Sequence, residues 1–255
     1  MEKPTKITNI IRIDIRSKML SLYHRVWRLT LRKSIRSVNI GSLRRLTPIS
    51  RHFGIDRGLS IARYYIDRFL HTYASNIQGH VLEIGDDNYT RKFGGDRIIK
   101  SDVLHVVEGN PLATIVADLT CADHIPSNTF DCIIFTQTLQ FIYDVRAAIR
   151  TLYRILKPGG VLLATCHGIS QISRSDMDCW GEYWRFTTLS ARLLFEEVFP
   201  EENIEVRAHG NVLAAISFLH GLAAEELTKQ ELDYDDQNYE LMITIKAVKK
   251  ANNDQ

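Results

Sequence analysis

The stretch GHVLEIGDDNYTRKFGG, residues 79–95, decides the fold. Val81-Leu82-Glu83-Ile84 is a short, mainly apolar run closed by Gly85, the pattern of a buried strand that ends in a turn. A dinucleotide-binding protein continues from such a strand with two more glycines, whose backbone N–H groups take up a pyrophosphate. Here the chain offers Asp86-Asp87-Asn88-Tyr89 instead. Two carboxylates at that place repel a phosphate at close range. The loop therefore suits a ligand with positive charge and no phosphate.

Beyond it the pattern alternates. Strands are predicted at 81–84, 97–101, 113–117, 131–136 and 160–166, helices at 61–70, 144–156 and 188–198, and a closing strand pair at 203–208 and 240–248. Pro158-Gly159-Gly160 stops a helix before the fifth strand. Buried strands alternating with helices predict a doubly wound, Rossmann-like α/β sheet, seven-stranded and mostly parallel, with a C-terminal antiparallel strand. Only 11 residues separate Asp102 from Thr114. That is too few for a crossover helix and its loops, so an irregular connection is expected there.

The formal charge of +2 conceals a division. Residues 1–51 hold 13 Lys and Arg against 2 acids, leaving 19 against 28 for the remainder. A basic arm, residues 1–50, thus precedes a mildly acidic domain, 51–255. Within the arm Leu20, Tyr23, Trp27, Leu31, Ile35 and Val38 recur at helical spacing beside Arg25, Arg28, Arg32 and Arg36. This basic amphipathic helix, within residues 18–46, can lie on an anionic membrane, fill a partner's groove, serve as a targeting segment, or pack on the body. Nucleic acid is not expected as a partner, because no basic patch interleaved with aromatics follows. The apolar content of 45% supports a real core. Cys121, Cys132, Cys166 and Cys179 show neither metal-ligand nor disulfide spacing, so no metal is expected. No apolar run is long enough to span a bilayer. A cytoplasmic protein, peripheral on the inner membrane face if the arm binds there, is the expectation.

Taken in order, these stretches resemble the class I S-adenosylmethionine-dependent methyltransferases. Glu83-x-Gly85-x-Asp87-x-Tyr89 stands where that family has an acid followed by alternating glycines. Ser101-Asp102 resembles the strand end whose acid binds ribose hydroxyls. Ala117-Asp118-Leu119 resembles the segment whose acid approaches adenine. Phe130-Asp131-Cys132-Ile133-Ile134 with Gln137-Thr138-Leu139-Gln140 resembles the fourth strand and its adenine-lining turn, and Leu156-Lys157-Pro158-Gly159-Gly160 the turn into the fifth. The resemblance implies S-adenosylmethionine as cofactor, held by Glu83, Gly85, Asp87, Asp102, Asp118 and Leu139. It agrees with the loop: a sulfonium and an ammonium are attracted by acids, and this cofactor carries no phosphate. Two of the family's glycines are missing, and the Asp87 or Asn88 side chains are expected in their space. Phe53-Gly54 to Arg57-Gly58, Tyr64-Tyr65 and Asp87-x-Tyr89-Thr90 are similar to members associated with polysaccharide and glycan biosynthesis, which implies a sugar or lipid-linked glycan acceptor.

On the acceptor side His167 follows the fifth strand at its ligand-facing end, where an imidazole near its ordinary pKa suits a general base; a capping or loop role is the alternative. In Asp178-Cys179-Trp180-Gly181-Glu182-Tyr183-Trp184-Arg185-Phe186, Tyr183 and Arg185 are expected to face the acceptor and Trp184 and Phe186 the core. A non-catalytic scaffold that keeps the same architecture is the rival reading.

Overall fold

The structure, a computed structural model, describes residues 41–251. The helix expected within residues 18–46 lies, up to residue 40, outside them. The chain divides into two compact units between Leu46 and Thr47. The first shows one 3-10 turn, Gly41–Leu43, among its described residues.

In the second unit seven strands form one sheet: β1 (Gly79–Ile84), β2 (Ile98–His105), β3 (Ile115–Val116), β4 (Phe130–Thr136), β5 (Leu156–His167), β6 (Ile204–His209) and β7 (Met242–Val248). Their order is β3-β2-β1-β4-β5-β7-β6, and only β7 runs antiparallel to its neighbours. The doubly wound sheet expected from the sequence is thus present. After β1 the chain moves outward to β2, whereas β4 joins the other side of β1. Strand order reverses there, and ligands of such sheets bind beyond the strand carboxyl ends at that crevice.

Alternation along the strands builds two cores. Leu82, Ile133, Phe135, Leu162 and Ala164 face α2 (Val145–Ile155) and α4 (Thr188–Glu196). The intervening Val81, Cys132, Ile134, Val161 and Leu163 face α1 (Ile61–Thr72) and α5 (Val212–Leu219). Successive side chains point to opposite faces, so strands covered on both sides must be apolar throughout. In α2 the buried residues Val145, Ala148, Ile149, Leu152 and Ile155 recur at steps of three and four, and the Asp144 side chain caps the start by accepting from the Ala147 N–H at 2.9 Å.

Three expected elements differ. The fifth strand, predicted at 160–166, begins at Leu156, so Pro158-Gly159-Gly160 lies within it. The strand predicted at 97–101 runs on to His105, so Asp102 is not at its end. The strand predicted at 113–117 is reduced to Ile115–Val116, and the path from β2 to it holds no helix, as the short spacing required. Two short helices, α3 (Arg174–Cys179) and α6 (Lys229–Asp233), complete the described elements with a few tight turns.

Candidate active site

The loop after β1 is organised from within by Glu83. Its side chain is buried and accepts three hydrogen bonds: from the Tyr89 N–H at 3.1 Å, the Thr90 N–H at 2.7 Å and the Thr90 hydroxyl at 2.7 Å. Burial pushes its carboxyl up to about 7, and the three donors only partly oppose this. Gly85 follows with φ of +85°, a conformation that favours glycine, and a Cβ there would meet no atom within 4 Å. The backbone thus borders open space at the switch point. Asp86 accepts from the Asn88 N–H at 3.0 Å. Asp87, by contrast, pairs with Arg91 at 2.7 Å and lines neither of the cavities described next. The sequence expectation for Asp87 differs from its placement: its carboxylate pairs with Arg91 in the following turn, and Asp86 lines the smaller cavity.

Two cavities open beyond the strand ends. The larger, about 570 Å³, is walled by Gly85, His105, Ala117, Asp118, Leu119 and Tyr143 among others. Its lining is mainly apolar, and Asp118 supplies a carboxylate that also accepts from the Thr120 N–H and hydroxyl, both at 2.8 Å. The smaller, about 340 Å³, is lined by Arg63, Glu83, Asp86, Asn88, Gln140 and His167 together with apolar side chains such as Phe53, Ile66 and Phe218. Ile84, Gln137, Phe141 and Asp176 border both. At this junction Gln137 has φ of +50°, which is uncommon for a residue with a Cβ. Its N–H donates to the Thr165 carbonyl at 2.9 Å and its amide to the Thr165 hydroxyl at 3.0 Å, which fixes the turn against β5.

Three further expectations are corrected by placement. Asp102 sits opposite Leu82, inside β2, with its buried carboxylate bonded to His80 at 2.6 Å, Lys100 at 2.8 Å and Thr114 at 2.8 Å. Burial alone would raise its pKa, and these partners outweigh it and hold the carboxyl below its ordinary value. It lines neither cavity. Leu139 is 1% exposed and belongs to the core beneath the turn. Arg185 donates to the Gln171 and Trp184 carbonyls at 2.8 and 3.0 Å and pairs with Glu182 at 2.7 Å. It braces the segment between β5 and α4 and reaches neither cavity.

His167 does line the smaller cavity, as the last residue of β5. It is 8% exposed and stacks on Phe218 at 5.6 Å. Burial, aided by the charge of Arg185, lowers its pKa to about 3, so the imidazole is neutral near pH 7 and does not keep the ordinary value expected of it. Its Nε2 and the Oε1 of Gln140, a residue 2% exposed, have no hydrogen-bond partner among the described residues. Tyr183 lines the larger cavity; its N–H donates to the Gln140 carbonyl at 2.8 Å and its ring packs on Tyr143. Phe186 turns into the core as expected, whereas Trp184 stays 38% exposed and donates to the Ile142 carbonyl at 3.0 Å.

Arg63 and Asp176 are absent from the sequence reading. Arg63 extends from α1, donates to the Tyr89 hydroxyl at 3.0 Å and is the one Lys or Arg among the described residues lining the smaller cavity. Neither residue lies in a motif, and each reaches the cavities from a segment distant in sequence from the β1 loop.

Residues 61–164 match a family model described as a methyltransferase domain. The ubiquinone/menaquinone biosynthesis C-methyltransferase UbiE of Pasteurella multocida is 50% identical over 82 residues, 32% of this chain and 29% of that protein. The protein of the same name from Vibrio cholerae is 33% identical over 91 residues, 34% of this chain and 31% of that one. The matched stretches span less than a third of the length of these curated relatives. Among solved structures, a SAM dependent methyltransferase from Archaeoglobus fulgidus superposes with a TM-score of 0.50 at 11% identity, covering 73% of this chain and 94% of that one. At that identity the likeness is one of fold.

Proposed function

We propose that the chain, whose residues 61–164 match a methyltransferase-domain model, is a class I methyltransferase that binds S-adenosylmethionine across the two joined cavities and methylates an acceptor at their junction. The observation that carries the reading is the pairing itself. A mainly apolar cavity with Asp118 suits an adenosine, and it meets a polar one in which Asp86 and Arg63 match the ammonium and carboxylate of a methionine moiety. The open space beside Gly85 gives a ligand close access to the backbone. Bound there, S-adenosylmethionine supplies a methyl group activated by its sulfonium. The protein's task is to hold the acceptor in line with it. Ile84, Gln137, Phe141 and Asp176 form the walls where the two would meet.

His167, neutral at pH 7, orients by hydrogen bonding on this reading and does not carry charge. Tyr183 belongs with the cofactor side. The acceptor is a small molecule, with a sugar or lipid-linked glycan as the narrower proposal; exposed Tyr143 and Trp184, stacked on one another, offer the faces a sugar ring uses. The basic arm would bring the protein to the inner face of an anionic membrane from the cytoplasm. Substitutions test the cofactor site. Asp86→Arg, placed beside a cationic ligand, is expected to weaken S-adenosylhomocysteine binding by about tenfold or more, and Asp87→Ala to leave it within about threefold. The reverse ranking in calorimetric titration would overturn the placement.

A further inference from the structure

The smaller cavity carries more polar capacity than a methionine moiety consumes. Glu83 is occupied by Tyr89 and Thr90, and Glu182 by Arg185 and the Ser173 N–H at 2.9 Å. Asp86, Asn88 and Arg63 lie together at the β1 loop, where they face the amino-acid end of the cofactor on the reading above. What remains is a separate set. The Asp176 carboxylate has no hydrogen bond or ion pair among the described residues. Gln140 donates its amide to the Gln137 carbonyl at 3.0 Å, which leaves Oε1 buried and unpaired. The buried His167 imidazole is also unpaired at Nε2. Gln140 follows β4 and His167 ends β5, neighbouring strands whose last pairs include Thr136 with Thr165. Asp176 comes from α3, and it borders both cavities.

A buried polar group without a partner is destabilising, so two on one cavity wall call for a ligand that satisfies them. The set is mainly accepting. A carboxylate and an amide oxygen can only accept hydrogen bonds, while a neutral imidazole donates at one nitrogen and accepts at the other. A ligand seated against Asp176 and Gln140 must present donors, and an anionic oxygen placed beside Asp176 would be repelled by its carboxylate.

Resting on the methyltransferase reading, we propose that Asp176, Gln140 and His167 form the acceptor subsite and select a nucleophile that carries its own hydrogen-bond donors, a hydroxyl or an amine. Any phosphate or carboxylate elsewhere on that acceptor lies outside the cavity. Phe53, Ile66 and Phe218 supply the apolar wall against which the body of the acceptor packs.

The test uses the full chain saturated with S-adenosylhomocysteine, whose own binding is measured first. Saturation-transfer NMR is then run with hydroquinone, methyl glucoside and ethanolamine as donor probes and benzoate as an anion without donors. At least one donor probe is expected to bind and benzoate is not; which probe binds tells a phenol from an alcohol or an amine. Asp176→Asn and Gln140→Leu are each expected to weaken that probe by about threefold to tenfold, the worth of one hydrogen bond, with an unchanged thermal unfolding midpoint as the sign of an intact fold. Binding of S-adenosylhomocysteine without any donor probe, benzoate binding equal to theirs, or donor-probe affinity unchanged in both variants would overturn the proposal. Absence of S-adenosylhomocysteine binding would overturn the reading beneath it as well.

Discussion

Acidic residues decide this site, and their roles follow from where each sits relative to a strand's end. Glu83, buried beneath the loop, is raised to about 7 from an ordinary 4.5. A group raised on folding binds its proton more tightly in the native state. Its stabilising contribution is therefore full below pH 4.5 and lost as the pH climbs through 7. Relative to Glu83→Gln, which does not titrate, the wild type should lose about 3 kcal/mol of unfolding free energy between pH 4 and pH 8. Urea titrations of both proteins across that range check it, and parallel curves would refute it. Asp102 is the opposite case. Its partners His80, Lys100 and Thr114 tie it into the sheet, so Asp102→Ala should cost about 1–3 kcal/mol of stability and leave S-adenosylhomocysteine affinity unchanged. A loss of affinity without a loss of stability would restore it to the ribose role that its sequence context suggested. Residue type was legible for these acids; depth along the strand was not. Lys100 neutralises Asp102 and His80 hydrogen-bonds to it, so β2 continues through a charge that reads from sequence as a boundary.

Elements were legible where period and punctuation agreed. The apolar spacing in α2 located that helix to within a residue at each end, whereas β5 starts at Leu156 and runs through the Pro158-Gly159-Gly160 taken as a break before it. Helix α5 was missed for a physical reason: Val212–Leu219 is apolar on every side and so shows no period, with Phe218 buried while Leu213, Ile216 and Leu219 reach the surface. The segment carrying Asp176, Tyr183 and Arg185 has no motif, and only its hydrogen bonds to the ends of β4 and β5 give it a place. The helix of the basic arm is an expectation from sequence alone and lies, up to residue 40, outside the described residues. If its Arg25, Arg28, Arg32 and Arg36 face an anionic bilayer, changing all four to Glu should abolish flotation of the full chain with phosphatidylserine vesicles. Equal flotation of both proteins would remove the membrane role.

At the scale of the molecule, the two faces of one sheet are sealed by apolar cores, and the two cavities open at the edge where the strands end. Strand order 3-2-1-4-5-7-6 sets the β1 loop beside the turn after β4, and this juxtaposition creates two cavities with a common wall. The acidic loop quoted at the outset fits that geometry because a cationic ligand without phosphate replaces the attraction that glycine-rich loops offer to pyrophosphate. The direct test is calorimetric titration of the purified full chain with S-adenosylmethionine, S-adenosylhomocysteine and NAD. Micromolar binding of the first two with no heat from NAD is the predicted result. Binding of NAD, or silence from both S-adenosyl ligands, would contradict the account.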